Sequence, residues 1–227
     1  KRKMKNKVCV VVGGSRGIGR AIALRMARLG MQIAVLARNE AELAALGQEV
    51  EALGARYLPI QADAADFEAL GRAFAQVWAA LGGFDVLVNS AGTGVMTPFE
   101  ELSQADIDAT VDVNLKGTIY SVRQAVPWMA KNGGGNILNV SSMSAIRGIP
   151  DPVNCNGIYT ATKFAVNGFT ECMQKYLLKY NIRVTALCPG STDTSWWTRW
   201  THSFGTEAML PADTLADVAE MIVSSPE

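Results

Sequence analysis

The chain has 227 residues, 49% of them hydrophobic, and its 21 Lys and Arg residues balance its 21 Asp and Glu residues. This length supports one sizeable hydrophobic core, so we expect residues 4–227 to form a single domain. A balanced charge excludes a general field that attracts nucleic acid or an anionic membrane, and any phosphate site must therefore be a local arrangement of residues.

Cysteine spacing and apolar runs indicate the compartment. The 4 cysteines lie far apart and the chain has 1 histidine, a pattern that predicts neither a disulfide framework nor a bound metal. The basic N-terminus precedes an apolar run that is too short for a secretory signal, and no later run is long enough to span a bilayer. We expect a cytoplasmic protein that binds neither membrane nor nucleic acid.

Short β-branched segments alternate with longer amphipathic segments along the whole chain. The short segments are apolar throughout, which is typical of strands buried on both faces of a parallel sheet. The predicted strands are Val8–Val12, Ile33–Ala37, Tyr57–Ala62, Val86–Asn89, Asn136–Ser141 and Arg183–Cys188. The predicted helices are Gly17–Leu29, Glu40–Leu53, Asp66–Leu81, Ser103–Met129, Ala161–Tyr180 and Ala212–Ser224, with Asp66 and Ser103 as N-caps. This α/β pattern predicts a doubly wound Rossmann fold, whose mostly or wholly parallel sheet has helices on both faces.

A glycine-rich loop directly follows the first predicted strand. Glycines at this place let the backbone turn tightly and approach a pyrophosphate, whose charge meets the N–H groups at the start of the next helix. The loop therefore predicts dinucleotide binding. Its candidate cofactor-binding residues are Gly13, Ser15, Arg16, Gly17, Ile18 and Gly19.

The same segment fits two other motifs less well. It matches G-x-S-x-G, the nucleophile elbow of hydrolases, in which Ser15 would be the nucleophile and His202 its base. An elbow serine stands on a mid-sheet strand, whereas Ser15 follows the first strand. A Walker motif requires Lys and then Ser or Thr, and this pair does not follow Gly19.

The end of the second predicted strand indicates which dinucleotide binds. An NAD site carries an acidic residue there for the ribose 2′-hydroxyl, but this chain has Ala37 followed by Arg38. A guanidinium favours a 2′-phosphate, and Arg16 can supply a second one. We therefore predict NADP(H) in preference to NAD(H).

Tyr159 and Lys163 form a candidate acid/base pair. Four residues advance about 400° along a helix, so the two side chains would lie on one face. A positive charge beside a phenol favours the phenolate and lowers a tyrosine pKa from its usual value of about 10. The same spacing also occurs on solvated helix surfaces, so the pair needs support from other motifs.

From about Val8 to Val223, the chain resembles the short-chain dehydrogenase/reductase family. The family motifs occur in order as the glycine loop, Asp63, Asn89-Ser90-Ala91-Gly92, Asn114, Ser142, Tyr159 with Lys163, and Pro189-Gly190. The resemblance implies that Asp63 and Ala64 contact the adenine and that Asn89 lets Ala91 and Gly92 approach the cofactor. It further implies that Pro189, Gly190, Thr192 and Thr194 hold the nicotinamide carboxamide.

The resemblance also implies a catalytic set of Asn114, Ser142, Tyr159 and Lys163. Tyr159 would transfer the proton, Ser142 would hold the substrate oxygen, and Lys163 would bind the nicotinamide ribose. Asn114 would perturb its helix and hold a water that links the lysine to solvent. The implied activity is hydride transfer between NADP(H) and a carbonyl or secondary alcohol, as in a carbonyl reductase.

Some features depart from the family pattern. Val12 replaces a common threonine, and the interval from Ser142 to Tyr159 is longer than expected, with its surplus in Pro150–Asn156. Trp196, Trp197 and Trp200 predict either an apolar substrate lid or a partner interface. The usual seventh strand is not expected in this sequence.

Two other functions stay open at this point. They are a non-catalytic NADP(H) sensor or scaffold and an extended-type dehydratase or epimerase. Apolar stripes on Ser103–Met129 and Ala161–Tyr180 predict a homodimer or homotetramer. The substrate is predicted to be a small carbonyl or alcohol, with the tryptophans indicating an apolar one.

Overall fold

The computed structural model describes residues 4–148, 156–197 and 209–225. Its strands are β1 Val8–Val12, β2 Gln32–Ala37, β3 Tyr57–Gln61, β4 Val86–Asn89, β5 Gly135–Val140, β6 Ile182–Leu187, β7 Thr192–Asp193 and β8 Leu210–Pro211. Its α-helices are α1 Gly17–Arg28, α2 Glu40–Ala52, α3 Phe67–Leu81, α4 Gln104–Val111, α5 Gly117–Lys131, α6 Gly157–Tyr176 and α7 Ala212–Ser224.

The central sheet has six parallel strands in the order β3-β2-β1-β4-β5-β6. This confirms the predicted doubly wound α/β fold. The strand order reverses between β1 and β4, and the loops at their carboxyl ends diverge there to leave a crevice. β7 and β8 form a separate small parallel pair.

Successive residues of each central strand pack into two hydrophobic cores, one on each face of the sheet. In β1, Cys9 and Val11 pack on one face with side chains of α1, α2 and α7. Val8, Val10 and Val12 pack on the other face with α3 and α5. Burying each such aliphatic side chain contributes about 1.5–3 kcal/mol, which explains why these strands are apolar on both faces.

The predicted strand positions agree with the structure to within about a residue at most ends. The helices differ from the prediction in two respects. α6 begins at Gly157 rather than Ala161, so Tyr159 lies inside the helix. The predicted helix Ser103–Met129 is interrupted by the π-helical turn Asp112–Lys116. The N-caps are where the sequence predicts them, because Asp66 accepts from Ala69 N and Ser103 forms a capping box.

A chain of buried hydrogen bonds attaches α6 to the middle of the sheet. The Asn89 side-chain amide donates to Asn139 Oδ1 at 2.9 Å, and Asn139 Nδ2 donates to Thr170 Oγ1 at 2.9 Å. Thr170 in turn donates to the Val166 carbonyl within α6. These bonds connect β4, β5 and α6, the helix that carries Tyr159 and Lys163.

We expect Thr170→Val to lower the free energy of unfolding by about 1–3 kcal/mol, because it leaves the buried Asn139 amide without its acceptor. Urea unfolding measures the change. Thr214→Val on α7 is the matched control, because Thr214 is exposed. If the two variants are equally stable, the buried chain does not hold α6 in place.

Candidate active site

A cavity of about 1100 Å³ lies at the carboxyl edge of the sheet. Loops that follow all six strands of the central sheet contribute to it. The predicted site residues that line it are Gly13, Ser15, Arg16, Gly17, Ile18, Arg38, Asp63, Ala64, Ala91, Gly92, Ser142, Tyr159, Lys163, Pro189, Gly190, Thr192 and Thr194. Gly19, Asn89 and Asn114 lie behind this lining.

The glycine loop packs against the loop after β4. Gly13 has a φ of 77°, and a Cβ there would lie 2.4 Å from the Ala91 backbone. A Cβ on Gly19 would lie 2.5 Å from the Gly13 carbonyl oxygen. Within the described residues no side chain caps α1, whose first-turn N–H groups therefore suit an anion such as a pyrophosphate.

Two arginines in the lining, Arg16 in the glycine loop and Arg38 after β2, face carboxylates. Arg16 lies 3.9 Å from Glu42, and Arg38 lies 3.8 Å from Asp63. The Ser15 hydroxyl donates to Glu42 at 2.6 Å. Sequence reasoning missed Glu42, because a glutamate in the first turn of a helix has an ordinary structural explanation.

Asn114 anchors the loop after β4. Its Oδ1 accepts from Thr93 N at 2.7 Å, and its Nδ2 donates to the Thr93 carbonyl and to Thr162 Oγ1. It is 1% exposed and lies within the π-helical turn, as expected for a residue that perturbs its helix. Thr93 and Thr162 were not identified from the sequence, where neither belongs to a motif.

Tyr159, Ser142 and Lys163 meet at the opposite end of the cavity from Arg38. Lys163 Nζ lies 5.6 Å from the Tyr159 ring centroid and donates to the Val140 carbonyl at 2.9 Å. The Ser142 side chain lies close enough to the Tyr159 phenol to favour its ionised form. A Cβ added to Gly92 would lie 3.6 Å from Asn114 Oδ1 and 3.9 Å from Lys163 Nζ, so these two polar groups share one wall.

Burial dominates the electrostatics of this group. It raises the pKa of Tyr159 above its usual value, and the interaction with Ser142 acts in the opposite direction. It also lowers the pKa of Lys163 from 10.5 to about 8. The direction is opposite to the lowering of the tyrosine pKa that the sequence predicts, because burial of the phenolate acts more strongly than the interaction with Ser142.

The segment after β6 brings an indole over the tyrosine. The Trp196 and Tyr159 ring centroids are 5.8 Å apart. Trp197 Nε1 donates to the Thr192 carbonyl at 2.8 Å, and Thr194 Oγ1 accepts from Trp196 N at 3.3 Å. Residues Thr192 to Trp197 therefore form a hydrogen-bonded wall beside the cavity.

Some predicted features lie outside the described residues. These are Trp200, His202 and all of the Pro150–Asn156 loop except Asn156, which lines the cavity.

Cys9, Cys172 and Cys188 have free thiols. Over residues 4–148, 156–197 and 209–225, no group of three or more His, Cys, Asp or Glu side chains could hold a metal ion. None of the helices in these ranges has both the length and the apolar character needed to cross a bilayer.

Comparison with known proteins identifies the family. The family model for short chain dehydrogenase matches residues 7–203. An uncharacterized oxidoreductase of Staphylococcus epidermidis is 32% identical over 224 residues, which are 99% of this chain and 94% of the relative. The chain therefore belongs to the short-chain dehydrogenase/reductase family of oxidoreductases.

Two solved structures are similar over nearly the whole chain. A short chain dehydrogenase from Burkholderia cenocepacia in complex with NADP is 33% identical, with a TM-score of 0.87, and the match covers 99% of this chain and 93% of that one. An alcohol dehydrogenase from the archaeon Thermococcus sibiricus, complexed with 5-hydroxy-NADP, is 28% identical with a TM-score of 0.86. That match covers 97% of this chain and 91% of the archaeal one.

The lowered pKa of Lys163 predicts a pH-dependent contribution to stability. Between pH 8 and about 10.5 the unfolded chain keeps the lysine proton and the folded protein has lost it, so the free energy of unfolding rises with pH across this window. At about 1.4 kcal/mol per pKa unit, the rise relative to Lys163→Met amounts to a few kcal/mol.

Urea unfolding of the wild type and Lys163→Met at pH 7 and pH 9.5 measures this rise. Lys175→Met, which changes an exposed lysine on the same helix, serves as the control. A stability difference between wild type and Lys163→Met that does not change with pH would contradict the lowered pKa.

Proposed function

We propose that this protein is an NADP(H)-dependent oxidoreductase that transfers a hydride between the nicotinamide and a carbonyl or secondary alcohol substrate. The observation that carries the proposal is the meeting of Tyr159, Ser142 and Lys163 in the cavity that also contains the glycine loop. A proton donor and a nucleotide cradle in one cavity match the requirements of carbonyl reduction.

The bound cofactor supplies or accepts the hydride. During reduction, Tyr159 donates its proton to the carbonyl oxygen while the Ser142 hydroxyl holds that oxygen where charge develops. During oxidation, the Tyr159 phenolate accepts the proton of the alcohol. Burial raises the pKa of Tyr159, so the phenol carries the proton that the reductive step needs.

Lys163 and Asn114 hold this pair in place. The Lys163 amino group is fixed by the Val140 carbonyl and lies close enough to the phenol to favour its ionised form when protonated. Asn114 fixes the Thr93 backbone and, through Thr162, the turn of α6 that contains Tyr159. We assign Asn114 a positioning role.

Features of the cavity support NADP(H) as the cofactor. Gly13 and Gly19 let the loop after β1 fold tightly against Ala91 and against its own backbone, and the first turn of α1 has no side-chain cap, so its N–H groups suit a pyrophosphate. Arg16 and Arg38 provide two guanidinium groups where a ribose 2′-phosphate would lie. The complexes of the Burkholderia and Thermococcus relatives with NADP and 5-hydroxy-NADP agree with this choice.

The lining near Tyr159 supports an apolar, uncharged substrate. Its described side chains include Val95, Met96, Met143 and Trp196, whereas the acidic residues and arginines of the lining surround the nucleotide end. A Cβ on Gly94 would lie 3.2 Å from Tyr159 and 3.3 Å from Trp196, so the glycine lets the indole approach the tyrosine. Trp196 offers a flat surface for an aromatic or alicyclic group beside the reacting carbon.

We also propose that residues 4–227 form one domain of a cytoplasmic homodimer or homotetramer. Free thiols at Cys9, Cys172 and Cys188 support a reducing compartment. Phe164 and Tyr176, on α6, are 45% and 56% exposed, which supports an interface on that helix. A monomer in size-exclusion chromatography at micromolar concentration would contradict the oligomer.

A panel of ketones and aldehydes with aliphatic, alicyclic and aryl groups tests the proposal. We expect the protein to oxidise NADPH in the presence of at least one of these compounds. Absorbance at the NADPH wavelength measures turnover, and NADH run in parallel is expected to give a lower kcat/KM. Tyr159→Phe is expected to lower kcat by at least about a hundredfold through loss of the proton donor, with NADPH affinity kept.

Each failure in this experiment has a separate meaning. Binding of NADPH without turnover of any compound, in either direction, would favour the sensor or scaffold. A Tyr159→Phe variant with near-wild-type kcat would remove Tyr159 from the acid/base role. Equal efficiency with NADH would overturn the cofactor preference alone.

For an aryl ketone substrate, we expect Trp196→Ala to raise KM by about three- to tenfold, because an aromatic contact contributes about 0.5–1.5 kcal/mol beyond its buried area. Small aliphatic ketones are expected to change by less than about twofold. Trp196→Phe retains a ring and should give an intermediate KM. An equal rise in KM for aryl and aliphatic ketones would show that the indole stabilises the wall of the cavity and does not contact the substrate.

A further inference from the structure

A carboxylate lies inside the nucleotide end of the cavity, between two groups that suit a phosphate. The Ser15 hydroxyl, in a residue that is 9% exposed, donates to Glu42 Oε2 at 2.6 Å. Arg16 NH1 lies 3.9 Å from the other oxygen of the same carboxylate. All three residues line the cavity, and the side chain of Glu42 is 33% exposed.

Carboxylates face both arginines at this end of the cavity, and Glu40 is a third acidic residue in its lining. Arg16 faces Glu42, and Arg38 faces Asp63 at 3.8 Å. A phosphate monoester carries about two negative charges at neutral pH and therefore competes with a carboxylate for the same guanidinium. The positive potential that a 2′-phosphate would meet is therefore smaller than two arginines alone would give, because Glu42 already faces Arg16 and Asp63 already faces Arg38.

The first turn of α2 gives Glu42 a second, structural explanation. Asn39 caps the helix by accepting from Glu42 N at 3.1 Å, and an acidic side chain in this turn interacts favourably with the helix dipole. This explains a glutamate at the position but does not require its contacts with Ser15 and Arg16. A structural role would affect ligands with and without a 2′-phosphate equally, so the two roles can be separated.

We propose that Glu42 is a specificity-determining residue of the cofactor site. Its carboxylate contacts Ser15 and Arg16, and the 2′-phosphate of NADP(H) must displace it from them. The inference rests on the proposed NADP(H) site. Its consequence is that Glu42 weakens the binding of NADP(H) relative to NAD(H), so that discrimination between them is smaller than the two arginines alone would give.

Glu42→Gln tests the proposal, because glutamine keeps the length and the acceptor oxygen but removes the charge. We expect the Kd for NADPH to fall by about three- to tenfold at low salt, with the Kd for NADH changing by less than about twofold. The pair 2′,5′-ADP and 5′-ADP should show the same difference. Fluorescence titration with NADPH and NADH, and calorimetry with the nucleotides, measure these constants without a substrate.

Glu49→Gln is the matched control. Glu49 is exposed, pairs with Arg20 and lies seven residues further along the same helix, about 10 Å away. The control makes the same change in net charge and is expected to leave the ratio of the NADPH and NADH constants unchanged. The increase in NADPH affinity in Glu42→Gln should also become smaller at high salt, because it arises from the loss of charge repulsion.

The outcomes separate this inference from the proposed cofactor preference. If the wild type binds NADH as tightly as NADPH and Glu42→Gln still shifts the ratio toward NADPH, the preference fails and the role of Glu42 stands. If the wild type prefers NADPH and Glu42→Gln changes both constants by the same factor, Glu42 is only structural. An equal shift in Glu49→Gln would also overturn the inference.

Discussion

The buried chain from Asn89 through Asn139 to Thr170 is the interaction on which the site depends. Amide and hydroxyl groups inside a core are costly to bury without partners, and two hydrogen bonds join these three side chains across two strands and a helix. Because their geometry is directional, they set the position of α6 along the sheet and do not merely attach it. Tyr159 and Lys163 are on α6, whereas Ser142 follows β5, so the distance between phenol and serine depends on that position.

The glycine loop imposes a second constraint from the other side of the crevice. Gly13 brings the loop after β1 against Ala91 in the loop after β4, which continues to the Thr93 backbone that Asn114 holds. The nucleotide end and the proton-transfer end of the cavity are therefore connected through one short segment. Substitutions at either end of this segment act on both.

Much of the fold could be predicted because its signals are local. The apolar strands, the glycine loop and the N-caps at Asp66 and Ser103 each follow from a few neighbouring residues. The features that the sequence did not reveal depend on distant partners. Thr93 and Thr162, the partners of Asn114, lie 21 and 48 positions away from it along the chain. The pKa of Tyr159 depends on burial, and Glu42 acquires its contacts only when α2 packs beside the glycine loop. The order of the family motifs identified the candidate residues, but the charge balance around them required coordinates.

The π-helical turn has a further consequence for the two helices that it joins. An α-helix turns by about 100° per residue, so a turn that holds one more residue than an α-helical turn changes the phase of everything after it. Asn114 is the buried residue of this turn, between α4, in which Thr110 is buried, and α5, which continues with a longer buried face. The turn thus works as a one-residue insertion within a helix, and a deletion there would shift the amide by a quarter turn or more while leaving both helices intact.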